Sequence, residues 1–334
     1  MRRQGKAIAC RLAQEGFQVV AVGRGGEGRR SEVLSFLEEC SVASSSSATE
    51  KKGSAAASTS AAAIKHEFRP CDAFDLSQVK RCAADIHRDY GGDDDAGGGI
   101  DALVMTQGMA TTQSFTPTVD GNDEKLTLHY WSRAAFASAL LPALRRPSSS
   151  SSCAGAMPGG PVVLTVLSGG VHSPYSRYRT DPELRSNYSI ANAANFAGYY
   201  TDLFFDGLAS RPANASVNFV HAAPGFVATN WGAEMPTYLR GPIRAVQKMM
   251  GKSPAKCAGY MVGPILRCGH GDIGLEPPSG GGGGKDETTG RGVYIMKEDG
   301  TSGKLTKGHT VEAMDRVWGT TRDVLGRAGI ELAD

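Results

Sequence analysis

Short apolar runs recur along this chain, each separated from the next by a stretch long enough for a helix. FQVVAVGR (17–24), IDALVMTQG (100–108), PVVLTVLSGG (161–170), ASVNFVHAAPGF (215–226) and GVYIMK (292–297) each hold such a run, apolar at successive positions rather than alternate ones. A strand of that kind buries both faces, the habit of parallel sheets covered by helices on either side. HEFRPCDAF (66–74) reads as a further short strand and turn. The intervening segments carry helical patterns. GKAIACRLAQE (5–15) places Ile8 and Leu12 on one face, SEVLSFLEEC (31–40) starts from a Ser cap, and DLSQVKRCAADIHRDY (75–90) opens on an Asp at its positive end. EKLTLHYWSRAAFASALLPAL (124–144), 189–210 and HTVEAMDRVWGTTRDVLGRAG (309–329) complete the set. Strands alternating with helices give right-handed βαβ crossovers, and so a doubly wound α/β sheet in three αβα layers. Ligands of such sheets bind beyond the carboxyl ends of the strands, so the residues just after each strand are the ones to inspect.

Bulk properties exclude several classes. A net charge of +2 over 334 residues is too weak to point to nucleic acid. No stretch approaches the ~20 apolar residues of a membrane helix. Seven cysteines, at 10, 40, 71, 82, 153, 257 and 268, form no CxxC pair. The odd count argues against a disulfide framework and for a reduced, cytoplasmic setting. Cys268 and His270 supply two candidate ligands where zinc takes four, so no metal is expected. Segments 41–63, 91–99, 148–155 and 278–286 are rich in Ser, Ala, Gly or Asp and lack core-forming side chains. They read as low-complexity insertions on the surface of a single domain spanning 1–334.

The strand ends are specific enough to carry a resemblance. IDALVMTQG places Thr106, Gln107 and Gly108 after its strand; PVVLTVLSGG places Ser168; VNFVHAAPGFVATNW places Pro224, Gly225 and Thr229; Arg24 ends FQVVAVGR, and Asp72 follows Cys71. In this order and at these intervals the chain, over roughly residues 5–235, resembles the short-chain dehydrogenase/reductase family. The resemblance implies a Rossmann-type fold, a nicotinamide cofactor, a small carbonyl or alcohol substrate, and a homodimer or homotetramer. It places the cofactor's adenosine ribose near Arg24, where an arginine pairs with a 2′-phosphate and so favours NADP over NAD. It gives Asp72 to the adenine, Gly108, Pro224, Gly225 and Thr229 to the cofactor, and Ser168 to substrate orientation.

Two departures stand beside it. The glycine loop that brings backbone N–H groups to a pyrophosphate is represented by Gly5 alone, and the family's central first strand has no counterpart before it; both are expected upstream. The family also pairs a Tyr with a Lys one helical turn later. Counting forward from Ser168, the pair falls on Tyr188 and Asn192; counting back from Leu208-Ala209, it falls on Ala194 and Gly198. Neither register supplies a lysine. His129 stands where the preceding helix of the family carries a relay Asn. The resemblance thus implies an NAD(P)(H)-dependent oxidoreductase with Ser168, Tyr188, Asn192 and His129 as catalytic candidates. Segment 226–275, with Met235, Tyr238, Leu239, Met249, Met250 and Met261, is the candidate lid. The alternative is a non-catalytic NAD(P)-binding or scaffold protein.

Overall fold

The computed structural model describes residues 3–49, 64–91, 99–145, 157–227, 241, 251–278 and 292–332. Its elements follow the alternation read from the apolar runs: α1 (Arg3–Gln14), β1 (Val20–Gly23), α2 (Glu27–Thr49), β2 (Glu67–Pro70), α3 (Leu76–Tyr90) and β3 (Ala102–Met105). After these come α4 (Glu124–Leu126), a π-helical turn (Thr127–Trp131), α5 (Ser132–Leu144), β4 (Val162–Val166), α6 (Ile190–Ala209) and β5 (Asn218–Ala222). The chain closes with α7 (Pro254–Met261), α8 (Gly263–Cys268), β6 (Val293–Met296) and α9 (Val311–Arg327). Every pairing among the named strands is parallel.

Two expectations are corrected. The helix after β1 begins at Glu27 and runs to Thr49, so Ser31 does not cap it and 41–49 is helical. Ser and Ala tolerate a helix once an apolar face, here Val33 and Leu37, has docked it. The cysteines are not all reduced either: Cys10 on α1 and Cys40 on α2 form a disulfide. Both helices pack beside β1, and that tertiary proximity leaves no trace in cysteine spacing.

The sheet is in two parts. β1 pairs with β2, and β3, β4, β5 and β6 pair in that order. Among the described residues no strand joins β1 to β3. Between these two edges lies a cavity of about 1190 Å³, lined by Phe17–Arg24 on one side and Ile100–Met109 on the other. Ile8 and Leu12 of α1 wall it on one face, and Phe136 and Leu140 of α5 on the other. α1 therefore works as the bridge between the halves, held to β1's side by the disulfide and to the other by Cys257, Met261 and Ile265 in a shared cluster with Ile8 and Leu12.

The opposite layer is aromatic. Tyr130 and Trp131 meet Phe196 and Tyr200 of α6, with the Phe196 and Tyr200 rings stacked at 3.8 Å. An aromatic pair of this kind adds about 0.5–1.5 kcal/mol beyond its area burial. This fixes α4–α5 against α6, and with them the side chains that reach the sheet's carboxyl end. α3 starts as the sequence implies, its Asp75 carboxylate accepting from the N–H groups of Ser77 (2.9 Å) and Gln78 (3.3 Å).

Candidate active site

Four predicted residues converge on one opening. Gly5, Arg24, Asp72 and Gly108 all line the cavity between the half-sheets, together with Arg29, Thr106 and Thr111. Arg24 and Asp72 arrive there because β1 and β2 run parallel and end on the same side, Gly108 follows β3, and Gly5 comes from the first turn of α1. The Arg24 guanidinium lies over the Phe74 ring, 5.2 Å from its centroid. Asp72 accepts from the Phe74 N–H at 3.1 Å, which closes the turn after β2 and leaves its second oxygen free of that bond. The Thr111 hydroxyl is buried without a hydrogen-bond partner.

His129 sits directly behind Gly108. Its Nε2 accepts from the Met109 N–H at 3.1 Å, and a Cβ at position 108 would come within 2.9 Å of that nitrogen. The histidine lies in the π-helical turn, where the extra residue per turn re-aims side chains. One helical turn on, Arg133 is buried without a carboxylate against it. Its guanidinium donates to Thr165 Oγ1 (2.5 Å), to the Val166 carbonyl (3.1 Å), to the Leu128 carbonyl (3.2 Å) and to the Gln107 carbonyl. Burial pushes it down to about 9. It ties the carboxyl ends of β3 and β4 together, and nothing in the sequence marked it out.

Ser168 belongs to a second group. Its backbone N–H donates to His221 Nε2 at 3.1 Å, while its Oγ is buried with no hydrogen-bond partner. His221, on β5, bonds through Nδ1 to Asp202 of α6, and the other Asp202 oxygen meets His172 Nε2 at 2.9 Å. All three side chains are at least 98% buried. Burial alone would raise the Asp202 carboxyl, but the His221 and His172 imidazoles outweigh it and hold it well below the usual carboxylate range. Burial pushes His221 down. The three groups offer ligand atoms within 4.8 Å of one another, yet each of these atoms is engaged in the hydrogen bonds just named. Asp202, His172 and His221 were missed in the sequence because 172, 202 and 221 share no motif; an Asp inside the apolar run GYYTDLFF was the one available signal.

Tyr188 and Asn192 lie at the start of α6. The Tyr188 hydroxyl donates to Asp123 Oδ1 at 3.2 Å, its ring meets Phe115 edge-on, and the Lys125 ammonium is 6.0 Å from its centroid. Burial and the Asp123 carboxylate push the phenol up, so it holds its proton throughout the neutral range. Asn192 donates its N–H to Ser189 Oγ and its side-chain amide to the Asn187 carbonyl, a helix-start arrangement. No hydrogen bond joins Tyr188 or Asn192 to Ser168 among the described residues. Tyr199 and Tyr200 are core residues whose hydroxyls donate to the Gly308 and Pro182 carbonyls. Gly225 has φ +67°, and a side chain there would strike Glu298, so the turn after Pro224 requires glycine. Thr229, Met235, Tyr238, Leu239, Met249 and Met250 lie outside the described residues; Met261 is a fully buried core residue of α7.

The chain is similar to an oxidoreductase of Emericella nidulans, 33% identical over 131 residues, which are 39% of this chain and 35% of that one. It is also similar to a short chain dehydrogenase of Arthrobotrys oligospora, 28% identical over 170 residues, 48% of this chain and 50% of the relative. The chain thus spans a third to a half of the length of these relatives. No family model matches it. Among solved structures it superposes on a short-chain dehydrogenase/reductase variant of Serratia marcescens with a TM-score of 0.50 at 16% identity, covering 81% of this chain and 90% of that one. It superposes on an uncharacterised protein of Mycobacterium paratuberculosis with a TM-score of 0.52 at 17% identity, covering 99% and 91%. The chain has the α/β Rossmann-type fold of the short-chain dehydrogenases/reductases, and its sequence places it beside oxidoreductases. Among its described residues no helix is long and apolar enough to cross a membrane.

Proposed function

We propose that the protein is an NAD(P)(H)-dependent oxidoreductase acting on a small carbonyl or alcohol. The observation that carries this reading is the convergence of Gly5, Arg24, Asp72 and Gly108 on one opening at the carboxyl ends of parallel strands. The residues fit the cofactor at its two ends. Arg24, with Arg29 beside it, suits a 2′-phosphate, and Asp72 an adenine amine. Gly108, approached by His129 too closely for a side chain, stands at the end assigned to the nicotinamide, and the buried Thr111 hydroxyl offers a polar group still lacking a partner. Gly5, in the first turn of α1, is what the described residues supply to a pyrophosphate. When bound, the cofactor supplies the hydride. This chain's own residues orient the substrate and move a proton: Ser168 holds the substrate oxygen, Tyr188 is the acid because it keeps its proton, and His129 and Asn192 pass that proton on. Two arginines at the adenosine end support NADP over NAD. A homo-oligomer is part of the same reading.

The test is turnover of a panel of aldehydes and ketones with NADPH, followed by loss of NADPH absorbance. Turnover by the wild type that falls in Tyr188→Phe supports the reading. Cofactor binding without turnover for any carbonyl would leave a non-catalytic NAD(P)-binding protein.

A further inference from the structure

His172 occupies an unusual place. A Cβ at Gly198, on α6, would run into the His172 ring and would lie 2.7 Å from Ser168 Oγ. The imidazole thus fills the space that a side chain at 198 would enter, next to the hydroxyl that has no hydrogen bond. Both ring nitrogens of His172 face acceptors. Nε2 meets Asp202 Oδ2 at 2.9 Å, and Nδ1 meets the Ser173 carbonyl at 3.2 Å. Thr306 Oγ1 lies 3.3 Å from both Nε2 and the His172 carbonyl. An imidazole with acceptors at both nitrogens satisfies them only by carrying two protons.

The neighbouring imidazole cannot take that role. His221 Nε2 accepts from the Ser168 N–H, which leaves Nδ1 as its single donor, directed at Asp202. A fully buried carboxylate facing a neutral histidine requires a cation elsewhere. The charged or titratable groups around it are Asp202 and Asp206 on α6, His221 on β5, Arg133 on α5 and His309 ahead of α9. His309 lies 3.6 Å from each of the two carboxylates, with no hydrogen bond at either nitrogen. Arg133 is spent on carbonyls and Thr165.

We propose that His172 is a buried imidazolium, and that Ser168, His221, Asp202 and His172 form one unit that positions Ser168 and sets a fixed positive charge beside its free Oγ. This rests on the oxidoreductase reading for its use: the charge favours the negative charge that develops on a carbonyl oxygen held by Ser168. It makes His172 a positioning residue, acting through Ser168 rather than on the substrate itself. The lysine missing from α6 is then replaced from the loop after β4, and Gly198 is the residue that makes room.

The test is nitrogen-15 NMR of the full chain labelled on histidine. The His172 signal is assigned by its loss in His172→Gln or, if that variant does not fold, by through-space contact to Gly198. At neutral pH both His172 nitrogens should show protonated shifts, as acceptors at both positions require. One unprotonated His172 nitrogen, or an imidazolium at His309 instead, overturns the proposal. In the turnover assay, His172→Ala should lower the rate at least about tenfold with NADPH binding unchanged, and His172→Ala/Gly198→Lys should recover most of it. A wild-type rate kept in His172→Ala overturns the role. A wild type with no turnover at all overturns the oxidoreductase reading, while the NMR still decides the charge.

Discussion

Asp202 shows how a single residue organises this site. Its carboxyl lies below its ordinary value in the folded chain, so it stabilises the fold fully above the unfolded value of about 3.9 and loses that contribution as pH falls through the lower folded value. Asp202→Asn should cost about 3–5 kcal/mol at neutral pH, the usual consequence of leaving a buried partner unpaired. In urea unfolding at a series of pH values, the gap between wild type and variant should be wide at pH 7, start to close only below about pH 4, and narrow as pH falls further through the depressed folded value. A gap independent of pH would contradict the pairing. Gly198→Ala should destabilise by about 1–3 kcal/mol, because its methyl group meets the His172 ring. The same change in a His172→Ala background should cost much less, and a thermal double-mutant cycle would show it. At Tyr188, which we propose as the proton donor, Tyr188→Phe should lower turnover by about 10²–10⁴-fold with NADPH affinity retained. This is also the scale at which the sequence was least legible. Ser168 and His129 stood out from their positions after a strand and within a helix. Arg133, His172 and His221 did not, since what defines them is burial against partners on other elements, such as Thr165, Asp202 and the Ser168 N–H.

Elements were far easier to read, because apolar periodicity reports burial directly. The strands at 102–105, 162–166 and 218–222, and the long helix 190–209, lie inside the apolar runs that announced them. The exceptions have physical causes. The helix from Glu27 to Thr49 outlasts its apolar stripe, and the break in 124–144 is a π-helical turn that no composition marks. The Cys10–Cys40 disulfide closes a loop of 30 residues between α1 and α2. Loop-closure entropy gives about 3–4 kcal/mol for a loop of that size. Cys10→Ser/Cys40→Ser should lower the unfolding free energy by that amount, and dithiothreitol should do the same to the wild type. An unchanged denaturation midpoint in both would show that the bond adds nothing to α1's anchoring. At α3, Asp75→Ala should cost about 1 kcal/mol through loss of the cap.

At the scale of the whole molecule, two parallel half-sheets face each other across the cavity, with α1 and α5 as its walls and the cofactor candidates at its strand-end rim. The sequence carried the order of strands and helices, and hence the rim. It did not carry the gap's dimensions, which depend on how two separately paired edges settle against shared helices. The central claim is that this rim holds a nicotinamide dinucleotide. The most direct test is calorimetric titration of the protein with NADPH and, separately, NADH. NADPH should bind in the micromolar range and NADH more weakly, and that difference should disappear in Arg24→Glu. Absence of heat with either dinucleotide would contradict the claim, and the catalytic roles assigned to Ser168, Tyr188, Asn192 and His129 would go with it.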